Sequence, residues 1–320
     1  MGNRGDELEM RHLKPMFDLG RTRFVMYSPR DIDSMKEVIA DADVVINLIG
    51  KYYETFQPIQ VDKFPYIGTQ VNYTFEDTNI TIPRTLAEIC KELQVDHFIH
   101  VSTSQASPDS ESEWARTKYE GELAVKDAYP WATIIRPTQL FGTEDRLLNW
   151  FPTMSHIYRC TPLIDDGKAL TQPVYVGDVA KTILHVVDAA GQYEGKTIDC
   201  FGPTDYSYRE LAEFCNDITE RNYPIVSIPK SMALTLANIF QYNRTGTEKP
   251  MIVPDLVQLW SENYLPRMTP EEYAAQPDDE NKVLTMADLG VSQTAIEKVA
   301  FSYLHRYRFG GHFGRVDGYR

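Results

Sequence analysis

The sequence predicts an α/β fold built on a parallel sheet, and three observations carry that expectation. The run Val44-Val45-Ile46-Asn47-Leu48-Ile49-Gly50 is apolar on both faces, as suits a strand buried between two layers of helices. Residues 96–102, 111–128 and 132–138 then read as strand, helix and strand. From about residue 220 the pattern changes to proline-broken helices, and a smaller, mainly helical C-terminal region is expected.

In chain order, residues 1–20 are polar, and Thr22 to Tyr27 gives a short strand that ends in a turn at Ser28-Pro29-Arg30. Asp31-Ile32-Asp33-Ser34 opens a helix whose apolar positions, Met35, Val38, Ile39 and Ala42, recur at helical spacing. Residues 51–78 are aromatic and polar without clean periodicity and are read as a long excursion. Asn79 is expected to cap a helix running from about Ile82 to Leu93. After Gly142 a strand at Pro173–Val176 feeds a helix to about Val187, and a strand at 196–201 ends at Gly202-Pro203. Ser207 and Glu210 form a capping-box pair at the start of the next helix. Further helices are expected at 231–242, 253–262 and 292–306, and the Gly- and Arg-rich tail from Phe309, with Gly310, Gly311 and Gly314, is expected to be flexible.

The chain has 320 residues and a formal net charge of −14, with Lys and Arg not clustered in long runs, which argues against a nucleic-acid-binding surface. Cys90, Cys160, Cys200 and Cys215 are widely spaced with no CxxC pair, so neither a disulfide framework nor a zinc site is expected. The seven histidines are scattered, and His97 and His100 are read as structural. Asp165-Asp166 before Gly167 is read as a turn. No apolar run reaches the roughly 18 residues of a membrane-spanning helix.

The stretch Ser112-Glu113-Trp114-Ala115-Arg116-Thr117-Lys118-Tyr119-Glu120-Gly121-Glu122 organises the functional reading. It places a lysine-bearing helix after the Ser102-Thr103-Ser104 end of one strand and before the strand ending at Arg136-Pro137-Thr138. With Asn47-Leu48-Ile49-Gly50, Phe141-Gly142, Tyr175-Val176-Gly177-Asp178-Val179-Ala180 and Phe201-Gly202-Pro203, these motifs stand in one order over about residues 22–215. The chain thereby resembles the extended and atypical short-chain dehydrogenase/reductase family. The resemblance implies a Rossmann-type doubly wound parallel sheet over 1–142 and 171–201, with 143–170 and 202–308 as a docking region and 309–320 as a tail. Arg11-His12-Leu13-Lys14-Pro15-Met16, Phe98-Ile99-His100-Val101-Ser102, Leu140 to Arg146 and Gln172 to Val176 look closest to the branch of that family found in mitochondrial respiratory complex I.

Several residue roles follow from the resemblance alone. Arg4 would pair with the 2′-phosphate of NADPH, with a solvated arginine as the alternative. Asn47, Leu48, Ile49 and Gly50 would carry the backbone close under the cofactor, glycine permitting the approach because it lacks a Cβ; an ordinary strand-to-loop turn is the alternative. Lys118 would hydrogen-bond the nicotinamide ribose, or else be a surface lysine. Ser102 and Thr103, with Pro137, Thr138 and Leu140, complete the implied cofactor set; no metal ligand and no catalytic residue is assigned.

Two departures from the family pattern matter. No glycine-rich dinucleotide loop occurs between a first strand and helix, so a βαβ start of roughly 30–50 residues is expected to be missing, by truncation rather than loss. Trp114 stands four residues before Lys118, where the family places its catalytic tyrosine. An indole N–H can donate a hydrogen bond but does not titrate usefully, and Tyr119 sits about 100° around the helix from the lysine. The expectation is therefore a non-catalytic accessory subunit of complex I, holding NADPH structurally. It would sit on the matrix side of the inner mitochondrial membrane, beside other complex I subunits near the matrix-arm/membrane-arm junction, with possible peripheral lipid contact. The alternatives are an NADPH-dependent reductase or epimerase with an unconventional acid, and a dinucleotide-sensing regulator.

Overall fold

The structure, a computed structural model, describes residues 1–3, 13–18, 20–58, 69–221, 223–242, 253–277 and 282–309. Five parallel strands form the central sheet: β1 (Val44–Asn47), β2 (His97–Val101), β3 (Thr133–Pro137), β4 (Thr197–Cys200) and β5 (Val283–Thr285). They lie in the spatial order β5-β4-β3-β2-β1, with Val44 opposite His97, Ile99 opposite Thr133 and Thr197 opposite Ile134. The fifth strand comes from inside the 202–308 range and pairs Val283 with Thr197.

Alternation of side chains across the sheet builds two separate cores. Phe98 and Val45 face α1 (Ile32–Ile39), α2 (Ile82–Glu92) and α3 (Glu113–Ala128), where Met35, Leu86, Cys90 and Val125 close the layer. Ile99, Ile135 and Ile198 point the other way, onto Val179 and Val186 of α5 (Val176–Asp188) and onto Met286 and Val291. Helices on both faces explain why β2, β3 and β4 are buried along nearly their whole length.

A third core lies beyond the sheet, between α4 (Trp150–Tyr158), α6 (Tyr208–Thr219), α8 (Pro254–Ser261) and α9 (Ile296–Leu304), with α7 (Lys230–Tyr242) against α8. Phe141, Leu148, Phe151, Leu211, Trp260 and Tyr303 fill it, and Ala115 of α3 joins it to the sheet domain. The capping box of α6 is formed as the sequence implies, the Glu210 amide donating to Ser207 Oγ at 3.1 Å.

Three expectations are corrected. Asn79 does not cap α2. It sits inside a single π-helical turn, Asp77–Thr81, is buried, and donates through Nδ2 to Thr117 Oγ1 at 3.0 Å. The wide turn opens because α3 approaches there at Gly121, where a Cβ would stand 2.0 Å from the Asn79 carbonyl oxygen. The excursion at 51–78 contains an antiparallel strand pair, Thr55–Pro58 with Thr69–Tyr73, whose register shift between Thr55 and Phe56 interrupts the alternation a strand would show. Finally, α9 starts at Ile296 rather than 292, because the Thr294 amide donates to the buried carboxylate of Asp178 at 2.7 Å.

Candidate cofactor site

The C-terminal ends of β1, β2 and β3 open into one cavity of about 880 Å3, the place where open α/β sheets present ligands. Leu48, Ile49, Gly50, Ser102, Thr103, Lys118, Pro137, Thr138 and Leu140 all line it. Asn47 does not: it lies behind the wall, 2 % exposed, and shapes the turn instead. Its Oδ1 accepts from the Ile49 amide at 3.0 Å, and its Nδ2 donates to His100 Nδ1 at 3.0 Å. Burial pushes the His100 pKa down to about 3, so its ring is a neutral acceptor over the working range. Arg4 lies outside the described residues, as do Gly310, Gly311 and Gly314.

Lys118 is the electrostatic centre of the cavity. It is 5 % exposed and lies on α3, and its ammonium group has no hydrogen-bond or ion-pair partner among the described residues. Burial pushes its pKa down to about 8, only partly opposed by Glu122 one turn away. Glu122 is committed elsewhere, paired with Arg136 at 2.5 Å. Across the cavity, a Cβ added to Gly50 would stand 3.3 Å from Lys118 Nζ, so the β1 turn and the ammonium group approach as closely as glycine allows. The Ser102 hydroxyl is likewise enclosed without a partner.

A buried ammonium group facing a cavity, beside a glycine turn, has the chemistry to hold a hydroxylated, uncharged group such as a ribose. These residues therefore fit the nicotinamide end of a dinucleotide. Bound there, such a group would supply hydride chemistry; this chain would supply the ribose contacts. One turn before the lysine, Trp114 packs its ring against the third core, and its indole N–H is enclosed with no acceptor among the described residues.

The C-terminal region closes the cavity with residues the sequence reading did not assign. Asp255 of α8 accepts from Ser112 Oγ at 2.8 Å and from the Trp114 amide at 3.2 Å, capping α3 from across the molecule. Tyr264 places its hydroxyl 2.6 Å from Thr103 Oγ1. Trp150, Leu256, Leu259 and Trp260 add an apolar wall, and Arg146 lies over the Tyr52 ring at the rim, 3.9 Å from its centroid. No spacing rule reveals these, since each reaches the site through the tertiary fold. Glu122, Arg136 and Arg267 form an ionic cluster in which Glu122 is buried and both arginines are half-buried. Beside it Tyr273 donates to Asp199 at 2.5 Å.

Residues 4–199 match the NAD dependent epimerase/dehydratase family. The chain belongs to that family. Solved structures of similar fold include a dTDP-glucose 4,6-dehydratase from Streptomyces venezuelae with NAD and TYD bound (TM-score 0.63, 16% identity, 95% of this chain and 83% of that one). Another is UDP-glucuronic acid 4-epimerase from Bacillus cereus, in complex with UDP-glucuronic acid and NAD (TM-score 0.62, 16% identity, 96% and 88%). Among curated proteins, the chain is 35% identical to NADH dehydrogenase (ubiquinone) 1 alpha subcomplex subunit 9, mitochondrial, of Arabidopsis thaliana, covering 96% of this chain and 71% of that protein. It is 33% identical to the protein of the same name in Mus musculus (95% and 72%), and 29% identical to the NADH-ubiquinone oxidoreductase 40 kDa subunit, mitochondrial, of Neurospora crassa (96% and 72%). The extent and identity of these matches place the chain in the subunit 9 branch of the family. No helix among the described residues is long and apolar enough to cross a membrane.

Proposed function

We propose that this chain is an accessory subunit of mitochondrial respiratory complex I that holds NADPH as a fixed structural cofactor and does not turn it over. The observation that carries the reading is the pair on α3. Lys118 presents to the cavity a buried ammonium group with no partner among the described residues, while Trp114 occupies the turn before it. The first can hold a ribose; the second offers no titratable proton to an alcohol or carbonyl. The names of its relatives support the complex, and the family supports the dinucleotide.

In this reading the ligand stabilises the fold by mass action, because the cavity walls come from β1, β2, β3, α3 and α8 and exist together only in the folded chain. The region 143–170 with 202–308 then serves as the docking side, on the matrix face of the inner membrane. Native electrophoresis of mitochondria carrying a tagged copy tests the assignment: co-migration with complex I is expected, and a tag found only in a small free species would sink it.

A further inference from the structure

The C-terminal ends of α4 and α6 and the segment that follows α9 meet at one corner of the third core, and three arginines gather there: Arg159, Arg221 and Arg308. They stand out in a chain whose formal net charge is −14. Arg308 is spent within the fold, paired with Glu220 at 2.7 Å and donating to the Ile218 carbonyl at 2.7 Å. Arg159 and Arg221 differ. Both donate to the hydroxyl oxygen of Tyr223, at 2.8 and 3.1 Å, and neither pairs with a carboxylate among the described residues. Their donating nitrogens therefore lie within about 6 Å of each other, where like charges repel.

The backbone holds this arrangement at some cost. Arg159 ends α4 in the left-handed region, with φ 58° and ψ 20°, a conformation that glycine or asparagine adopts more readily. Arg221 is fixed by donating Nε to the Tyr307 carbonyl at 2.7 Å, and the Tyr223 carbonyl accepts from Asn216 Nδ2 at 3.2 Å. A phenol oxygen that accepts twice still has its own O–H to donate. The three side chains thus offer donors and two positive charges from one small area, and an anionic oxygen is what completes them. Around them the surface is apolar: Ile157, Tyr158 and Val226 are 48 %, 55 % and 43 % exposed. The Thr161 amide, bonded to the Pro224 carbonyl at 2.9 Å, keeps the end of α4 beside this segment. Arginine and tyrosine ringed by exposed apolar side chains are the composition of a protein interface. An anionic bilayer fits less well, because its recognition takes clusters of roughly four to eight basic residues, and the charge of this chain opposes it.

We propose that this corner is a docking surface for a second protein, which brings an aspartate or glutamate to Arg159 and Arg221 and apolar side chains to Ile157, Tyr158 and Val226. None of these residues lines the cavity, so the surface stands apart from the dinucleotide. That the partner belongs to complex I rests on the proposed function.

The test uses the full chain, tagged, in detergent-solubilised mitochondrial membranes, with a water-soluble carbodiimide as probe. Arg159→Lys keeps the charge and supplies an amine, which the carbodiimide joins to a carboxylate only where the two touch. Peptide mass spectrometry should find the introduced lysine linked to an aspartate or glutamate of a different polypeptide, with apolar residues beside it in sequence. Arg159→Glu should lower recovery of that polypeptide with the tagged chain at least about tenfold, because like charges then face each other. Changing the partner's linked carboxylate to lysine should restore recovery, which a merely misfolded variant would not allow. Absence of the link while other lysines of the chain react would overturn the proposal. So would links confined to this chain or to a second, differently tagged copy. Binding of the purified chain to vesicles of phosphatidylcholine and phosphatidylglycerol, lost in Arg159→Glu, would also overturn it by marking a membrane surface. A linked partner from outside complex I would uphold the docking surface and count only against the proposed function.

Discussion

Replacing Lys118 by methionine should make the unliganded protein more stable while removing its hold on a dinucleotide. The side chain is 5 % exposed, and burial brings its pKa from 10.5 down to about 8. In the unfolded chain the amine keeps its proton up to about 10.5, whereas the folded chain gives it up near 8, so stability rises with pH across that interval. Below the folded value both states are charged and the whole penalty stands. Over that interval it amounts to about 3 kcal/mol. Lys118→Met removes the charge and keeps most of the volume, so at pH 7 it should stabilise the fold by up to about 3 kcal/mol. The gain should shrink as pH rises toward 10.5. Urea unfolding at pH 7 and pH 10, with wild type and variant in parallel, measures the difference. A Lys118→Met protein less stable than wild type at pH 7 would show that the ammonium group is satisfied within the protein, and the argument for a ligand there would fall.

Three further outcomes are expected. Gly121→Ala should cost roughly 2–4 kcal/mol, because its Cβ would meet the Asn79 carbonyl oxygen at 2.0 Å and backbone must move; a denaturation midpoint within error of wild type would contradict the packing described. Glu122→Gln should cost about 1–3 kcal/mol by leaving the half-buried Arg136 without its partner, which a urea titration at neutral pH would register, whereas an unchanged midpoint would mean water already screens the pair. Trp114→Tyr should not by itself start NADPH oxidation with carbonyl compounds; steady loss of absorbance at 340 nm in the variant alone would mean that only the missing tyrosine silenced the site.

The sheet was legible wherever burial on both faces left a periodic mark. Residues 44–47, 97–101, 133–137 and 197–200 are strands within the ranges expected of them, and Ser207 with Glu210 marks the start of α6 correctly. Val283–Thr285 was missed because an edge strand of three half-buried residues carries no such run. Asn79 misled because its side chain, polar and placed before an apolar helix, serves a tertiary contact with Thr117 instead of a local cap. The cavity divides the same way. Gly50, Ser102, Thr103 and Lys118 come from strand ends and one helix whose order along the chain could be read. Tyr264, 161 residues from Thr103, and Asp255, 141 residues from Trp114, reach the site only through the packing of the third core, and no local pattern announces that.

The central claim is that the chain holds NADPH and does not consume it, and one measurement bears on both halves. Complex I isolated with a tagged copy of the protein is denatured with base, which preserves reduced nicotinamides, and the released dinucleotide is quantified by mass spectrometry before and after incubation with a panel of carbonyl compounds. The account predicts NADPH in near-equal amount to the tagged chain, unchanged by the incubation and lost in Lys118→Met. Conversion of the bound NADPH to NADP during incubation, absent from complex lacking the tagged chain, would contradict it, as would a wild-type preparation that releases none.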